Sequence, residues 1–488
     1  MQRYGAAFFI LTNVMAYTLN QSPPSWIAGS KHPIIFVVKD TDFANPKYKY
    51  ICDIYVEGTK VARLKCLPNS AGAGVFNITR VVDDHLEHQV VDINTSTAGI
   101  NEDLLMNLGA NDTAKPFSKN LDSIHKVEVK FGHEEAASAT AAPAITENEI
   151  TGNYITVIKS HLPDGLTFGS YMGKGVNATS STFERFEMSL NADEFISAVP
   201  VISKAATINS DIIIAEQDIE RGQVHVLSFT NDMTTSGASK GVSFIHVAGY
   251  QADGTEIFND TIQNTGANGG EPPSSSNSDD ERLLFFGSGH KNLTTQSVTA
   301  AINTGMDDAD LSYYEVVAAS SATLSGSTQT SRVYRFNIKE ACKFETRRVM
   351  FINRFGGWDF FNFTKVSRKT INYDRKTYHR VRGNWDAADG SSTDWHFTGA
   401  DRGKVTLYTS ATQQEVLHSD FVSEEFNDFF EQLFASPEVY IIEQKSGADL
   451  HAVPVNITNT QSVRKTGINE KLISYDVTLE YSNHQAVG

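Results

Sequence analysis

Cysteine is scarce: Cys52, Cys66 and Cys342 are the only three in 488 residues, too few to build a disulfide scaffold. Cys52 and Cys66 flank a predicted turn at Glu57-Gly58. A regular hairpin centred there sets Cys52 opposite Arg63 and Cys66 opposite Lys49, so the two sulfurs fall out of register. All three are expected as reduced, partly buried thiols, as in a chain that matures in a reducing cytoplasm. Positive charge is also in deficit. With 41 Lys and Arg against 58 Asp and Glu, the net charge is −17, a field that repels phosphate backbones and argues against a general nucleic-acid coat. No apolar run reaches the roughly 18 residues that a membrane-crossing helix needs. The one targeting outline is an apolar stretch at 6–19 behind Arg3. Asn13 interrupts it and no small-x-small cleavage site follows, so a buried strand or short helix is expected there.

Catalytic motifs are thin as well. Gly237-Ala-Ser-Lys-Gly241 matches a nucleophile elbow in letters, but a Thr/Ser-rich loop precedes it and a strand pattern follows, where that chemistry needs strand then helix. Gly399–Lys404 and Gly169–Lys174 are each one residue short of a phosphate loop, and neither lysine precedes Ser or Thr. His85 and His88, with Asp83, Asp84 and Glu87 nearby, offer two imidazoles near one helix face. Zinc would need a third ligand from afar, Cys66 or His133, and the plain reading is a solvated helix face. Asp307, Asp308 and Asp310 lack the glycine and terminal glutamate of a calcium loop and read as an acidic turn. The expectation is therefore no catalytic residues, no metal and no cofactor.

What the chain does have is strand. Apolar residues make up 40% and aromatics 10%, enough for more than one core. Apolar strand patterns such as PIIFVVKD, YKYICDIYV, QVHVLSFTN, VSFIHVAGY and LSYYEVVAAS recur every ten or so residues between turn signals, the rhythm of an antiparallel sandwich or barrel. The expected fold class is mainly β: several antiparallel β-sandwiches or barrels, few helices, and an α+β element at the C-terminus. Three domains are expected. Residues 1–135 would hold a hairpin at 48–67 and a short helix near 81–91. Residues 136–335, entered through a small-residue linker at 134–148, would form a middle sandwich. Residues 336–488 would form a C-terminal assembly domain. There Ser423 stands as N-cap of a helix over 424–435, whose Phe426, Phe429, Phe430, Leu433 and Phe434 share one face.

Two clusters stand out in that last third. Arg347, Arg348, Arg354, Lys365, Arg368, Lys369, Arg375, Lys376, Arg380 and Arg382 place ten basic residues within 36, interleaved with Tyr373 and Tyr378. Arg368, Lys369, Arg375, Lys376, Arg380 and Arg382 are the candidate assembly interface, set against the plainer reading of a hairpin's polar face. Trp358, Trp385 and Trp395 form a candidate aromatic contact cluster, set against ordinary core packing.

A succession of phrases in the last 150 or so residues resembles virion proteins of tailed bacteriophages, of the tail, tail-hub and baseplate kind. It runs FNIKEACKFETRRVMFINRFGGWDFFNF, then RKTINYDRKTYHRV, then LHSDFVSEEFNDFFEQLFASPEVY, then VPVNIT and INEKLISYDVTLEYSN. The hairpin region 33–91 is similar more loosely. The resemblance implies a non-enzymatic structural part of the virion, made in the host cytoplasm and assembling as a ring or other homo-oligomer. Its implied partners are further copies of itself, other tail proteins, a host surface glycan, and DNA only as it passes through a lumen, with no membrane span. The alternative is a receptor- or glycan-binding virion module, with the middle loops 230–240 and 266–281 or Trp385 and Trp395 meeting sugar.

Overall fold

The computed structural model describes residues 17–23, 27–88, 115–120, 122–151, 155–161, 196–209, 213–230, 242–270, 283–295, 299–340, 343–385, 395–396, 399–444, 450–459, 461, 463–464, 472–482 and 485–487. The stretch 6–16, the Gly169–Lys174 and Gly237–Gly241 motifs and most of the two middle loops lie outside them. The protein is mainly β, with several sheets and, among the described residues, four short α-helices. It divides into two compact units. One is Met1–Lys339 with Asn353–Asp359; the other is Glu340–Ile352 with Phe360–Gly488.

The first unit begins with a sandwich. A three-stranded sheet of β1 (Thr18–Gln21), β3 (Ile35–Lys39) and β6 (Ala73–Asn77) packs on a larger one. That sheet runs β2 (Ile27–Gly29), β10 (Ile155–Ile158), β8 (Ile124–Glu135), β4 (Lys49–Val56), β5 (Thr59–Cys66), with β9 (Ala144–Thr151) also on β8. Alternate residues of each strand point inward. Phe36 and Phe76 meet Phe131 at ring distances of 5.7 and 5.9 Å, and Tyr50, Cys52 and Ile54 fill the layer beside them. The expected linker at 134–148 is the connection between two neighbouring strands of one sheet: β8 ends at Glu135, the small residues 136–143 form the turn, and β9 begins at Ala144.

The 48–67 hairpin forms around Glu57-Gly58, both in the left-handed region (φ 47° and 74°), as a tight two-residue turn demands. Its register is one residue off the expected one. A bulge at Ile54/Tyr55 absorbs an extra residue, so Cys52 faces Leu64 and Cys66 faces Tyr50. Cys52 is buried, Cys66 half-buried, and both are free. The helix expected near 81–91 is shorter and earlier: α1 (Thr79–Asp83). With no side-chain cap and β-branched Thr79, Val81 and Val82, it has little local support for further turns.

A second sandwich follows in the same unit. Its large sheet runs β11 (Val201–Ser203), β12 (Ile213–Glu220), β18 (Val333–Lys339), β17 (Tyr313–Ala319), β14 (Phe244–Tyr250), β15 (Glu256–Gln263). The small one is β13 (Val226–Thr230), β16 (Leu283–Gly287) and β7 (Phe117–Asn120). Two pairings are parallel, β2 with β10 and β12 with β18, where antiparallel was expected throughout. β7 lies before residue 135, yet its Phe117 packs on Phe286 and Phe229. Helices α2 (His290–Thr295) and α3 (Ala300–Met306) flank this sandwich, the latter capped by the Thr299 side chain. Asp307, Asp308 and Asp310 form the turn after α3, where Arg221 donates to the Asp308 carbonyl (2.8 Å). Glu315 is fully buried and is bonded by Arg335 Nε (2.7 Å) and by the amides of Thr207 and Ile208, which fixes loop 204–208 to the sheet.

The turn Asn353–Asp359 is embedded in this unit. Asn353 Oδ1 accepts from the amides of Phe355 and Gly357, while its Nδ2 donates to Asp359 Oδ2 and to the Ile196 carbonyl. Ser197 Oγ and the Ala198 amide also donate to Asp359, each at 2.7 Å. Gly356 and Gly357 in this turn both lie where a side chain has no room. Gly356 has φ +92°, and a Cβ on it would sit 2.3 Å from the Lys159 carbonyl oxygen. Gly356→Ala is expected to cost about 2–4 kcal/mol in urea unfolding, combining backbone strain with a backbone clash. Gly222→Ala, at φ +80° with open space around it, should cost only about 1 kcal/mol. Equal costs at the two positions would remove the clash from the account.

The second unit is one large sheet under a helix. In order it runs β20 (Trp358–Phe363), β19 (Arg347–Ile352), β26 (Val439–Gln444), β27 (Leu450–Ile457), β29 (Asp476–Tyr481), β24 (Lys404–His418), β21 (Arg368–His379), with β30 (Gln485–Val487) also on β24. The helix over 424–435 opens as a 3-10 turn at Glu424–Phe426 and continues as α4 (Asn427–Ala435). Ser423 holds the N-cap position, but its side chain makes no cap bond. Phe429, Phe430 and Leu433 are buried, and Phe426 and Phe434 lie half-buried beside them. Phe429 meets Phe351 edge-on at 5.1 Å and Phe430 stacks on Tyr475 at 4.4 Å. Ile473, Tyr475, Val477 and Leu479 point inward in alternation, Tyr481 ending the row half-buried.

Candidate assembly interface

The basic segment forms a strand of unusual exposure. All twelve residues of β21 are exposed, on both faces. It is the terminal strand of its sheet, paired with β24 from Arg368↔Val416 to His379↔Lys404. β24 is covered on its other edge by β29 at Gln414–His418 and by β30 at Thr409–Ala411. Beyond Thr409 the sheet narrows to a two-stranded ribbon, a form that is marginal on its own in water. A bulge between Lys376 and Thr377 adds twist there.

The ribbon's chemistry is mixed. Ile371, Tyr373 (55% exposed), Tyr378, Leu407 (65%) and Tyr408 leave large apolar surfaces open, with Val381 (76%) just past the strand. Arg375 lies 5.7 Å from the Tyr373 ring and Lys376 5.4 Å from Tyr408. The Tyr408 hydroxyl raises the Lys376 ammonium's pKa. Among the described residues, Arg368, Arg375 and Lys376 form no ion pair. Arg380 and Arg382 donate to the carbonyls of Arg402 and Asp401, both at 3.1 Å, which ties the strand to the segment entering β24.

The ten clustered basic residues thus divide by role. Arg347 and Arg348 are buried in the sheet and Arg354 belongs to the first unit. Lys365 pairs with Asp420 at 2.9 Å. Lys369, expected at the interface, instead joins a charge network at the ribbon's root. Arg347 bonds Glu443 (2.6 Å), Glu415 (3.0 Å) and the Tyr481 hydroxyl (3.0 Å); Tyr481 donates to Glu415 (2.6 Å), and Lys369 lies 3.8 Å from Glu415. Burial alone would raise the Glu443 carboxyl, but Arg347 and Lys369 hold it below the usual range. The network spans β19, β26, β29, β24 and β21, so the ribbon springs from a rigid base.

The tryptophans do not act as one cluster. Trp358 is buried in the first unit, edge-on to His88 at 6.3 Å. Trp385 and Trp395 are register partners in a two-strand bridge in the second, β22 (Asn384–Trp385) with β23 (Trp395–His396). Trp395 is 43% exposed, and its Nε1 donates to the Arg382 carbonyl (2.5 Å).

The solvated helix face expected to carry His85 and His88 does not form, because α1 ends at Asp83, before either residue. His85 is exposed and His88 is half-buried. His133 lies instead beside Asp40 and Glu149, three residues from separate strand regions that sequence spacing had no means to join. No helix among the described residues is long and apolar enough to cross a membrane.

No family model and no curated protein matches the chain. Among solved structures, a chimeric titin Z1Z2-Z1Z2 tandem carrying a GRGDS peptide from fibronectin is similar over 66% of this chain and all of its own. Its identity is 12% and its TM-score 0.11, a likeness that carries no argument about fold or function.

Proposed function

We propose that the chain is a non-enzymatic structural component of a tailed-phage virion, in the tail, tail hub or baseplate, that self-assembles through the β21–β24 ribbon. One observation carries the assembly part: a twelve-residue edge strand, exposed throughout, that mixes cations outside any ion pair with bare tyrosine and isoleucine. Such a strand offers backbone hydrogen bonds for strand addition and aromatic anchors for an interface core. The net charge of −17 makes acidic surface on a second copy a ready complement, and head-to-tail ring contacts need complementary rather than identical patches. The placement in a virion rests on the resemblance of the C-terminal phrases.

Edge strands also carry lysine and arginine for the opposite purpose, to repel other strands. Charge reversal at Arg375, Lys376, Arg380 and Arg382 separates the two. For an interface, the full-length chain runs as a defined oligomer at physiological salt and the glutamate variant as a monomer by light scattering. An oligomer of unchanged mass, or a wild-type monomer, would remove self-assembly through the ribbon. Disordered aggregation of the variant would mark the cations as guards. The second reading, a glycan-binding virion module, draws on exposed Trp395. It expects binding to host surface polysaccharide that Trp395→Ala abolishes.

A further inference from the structure

Asp40, His133 and Glu149 come from three places in the chain and from both sheets of the first sandwich. Asp40 follows β3 in the small sheet; His133 is on β8 and Glu149 on β9 in the large one. His133 Nδ1 lies 3.0 Å from Glu149 Oε2 and 4.0 Å from Asp40 Oδ2. Asp40 and His133 are almost fully buried, while Glu149 keeps some contact with solvent.

The surroundings hold these groups in place. The Tyr48 ring stacks on the imidazole (5.3 Å, 14° between planes), and its hydroxyl donates to Asp40 Oδ2 at 2.6 Å. The Asp42 amide donates to Asp40 Oδ1 at 3.2 Å. On the far side of the ring, His133 Nε2 faces Glu135 Oε1 at 3.9 Å. A carboxylate behind the second ring nitrogen is the usual orienting partner of a metal-bound histidine. The backbone is shaped to match. The β8–β9 register breaks between Phe131 and His133, and Asn148 takes φ +58°, which turns Glu149 toward the imidazole. A Cβ on Gly132 would lie 2.2 Å from the Thr146 carbonyl oxygen, so glycine is required for this close approach of the two strands.

Charge is what the site lacks. Two carboxylates converge on one imidazole, and among the described residues no lysine or arginine pairs with either.

We propose that Asp40, His133 and Glu149 hold a divalent first-row transition ion, Zn²⁺ by choice of ligands, as a staple between the two sheets. One imidazole nitrogen and two carboxylate oxygens suit that class, and the three ligand atoms already lie within 4.8 Å of one another. Water from the Glu149 side would complete the coordination.

The test uses purified full-length protein stripped with EDTA and titrated with ZnCl₂ by calorimetry. One equivalent is expected to bind, with a rise in melting temperature of about 5 °C when free zinc is ~100-fold above its dissociation constant. Glu149→Gln, on an exposed edge strand and therefore safe for folding, should weaken binding at least tenfold, and His133→Gln should abolish it. Co²⁺ should give the visible absorption of a low-coordinate site in the wild type and not in His133→Gln. No binding by the wild type overturns the proposal. Unchanged binding in both variants overturns it by placing the ion elsewhere. A preference for Ca²⁺ over Zn²⁺ overturns the metal class.

Discussion

Replacing Arg347 with methionine is expected to destabilise the second unit by about 3–5 kcal/mol, because it strands a buried carboxylate. Glu415 has no solvent exposure, and Arg347 is its closest cation. The Tyr481 hydroxyl would remain bonded to Glu415, and Lys369 would be left 3.8 Å away on a half-exposed stem. A lysine still largely hydrated supplies only part of the lost charge. The cost arises from breaking the pair rather than from any great worth of the pair itself, since desolvating two ions consumes most of their attraction. Arg347→Met combined with Glu415→Leu should therefore recover most of the loss, with Tyr481 turning to Glu443, already 3.4 Å from its hydroxyl. Urea midpoints for the two single variants and the double variant form the cycle. A single-variant cost below about 1 kcal/mol would mean that water reaches Glu415 and that the ribbon's root is loose.

That network also explains what the sequence could and could not disclose. Strand periodicity is local, so β4, β8, β14, β17 and β29 were legible, and so was the phenylalanine face of α4. Glu57-Gly58 announced its turn, but the bulge at Ile54/Tyr55 that shifts the cysteines by one residue leaves no compositional mark. Pairings between distant strands were invisible. β7 joins strands more than a hundred residues later, and the parallel contact of β12 with β18 depends on everything folded between them. The linker reading of 134–148 fell on a small-residue turn at 136–143 that joins β8 to β9 within one sheet, and composition does not separate such a turn from a connection between domains.

The site divides along the same line. A run of cations at 368–382 could be seen, while its exposure on both faces could not, since that depends on which strands stop short of it. Nothing local separates Lys369, drawn inward by Glu415 and Glu443, from Arg375 and Lys376, which stay outside. Asp40, His133 and Glu149 had no shared motif at all. Their convergence is set by a bulge and a left-handed asparagine, both of which are consequences of pairing.

The first unit is expected to lose about 2–3 kcal/mol of stability between pH 7 and pH 4.5, and buried histidines set the sign. Burial first, then the charges of Lys159 and His161, hold His88 down to about 3; burial first, then Arg354, hold His161 down to about 4. Both ring nitrogens of His161 are shielded from solvent and have no hydrogen-bond partner. In the unfolded chain these rings take a proton near pH 6.5. Between that pH and their folded values the unfolded state binds more protons, so stability falls as pH falls, by about 1.4 kcal/mol per ring and pH unit before solvent screening. Asp359 opposes them. Burial lifts its carboxyl to about 6 against the hydrogen bonds of Ser197, Ala198 and Asn353, so the folded state gains the proton first and stability rises as pH drops from 6 toward 4. Two rings acting over about two pH units outweigh one carboxyl acting over about one and a half. His246 and His290, held low by burial first, add to the loss. Urea midpoints at pH 7 and 4.5 measure the difference, and His88→Gln with His161→Gln should flatten it. A pair of variants as acid-sensitive as the wild type would remove these two rings from the account, and the ion-paired carboxylates Asp53 and Asp83, held low by their cations against burial, could not replace them, since their contribution is lost only below about pH 4.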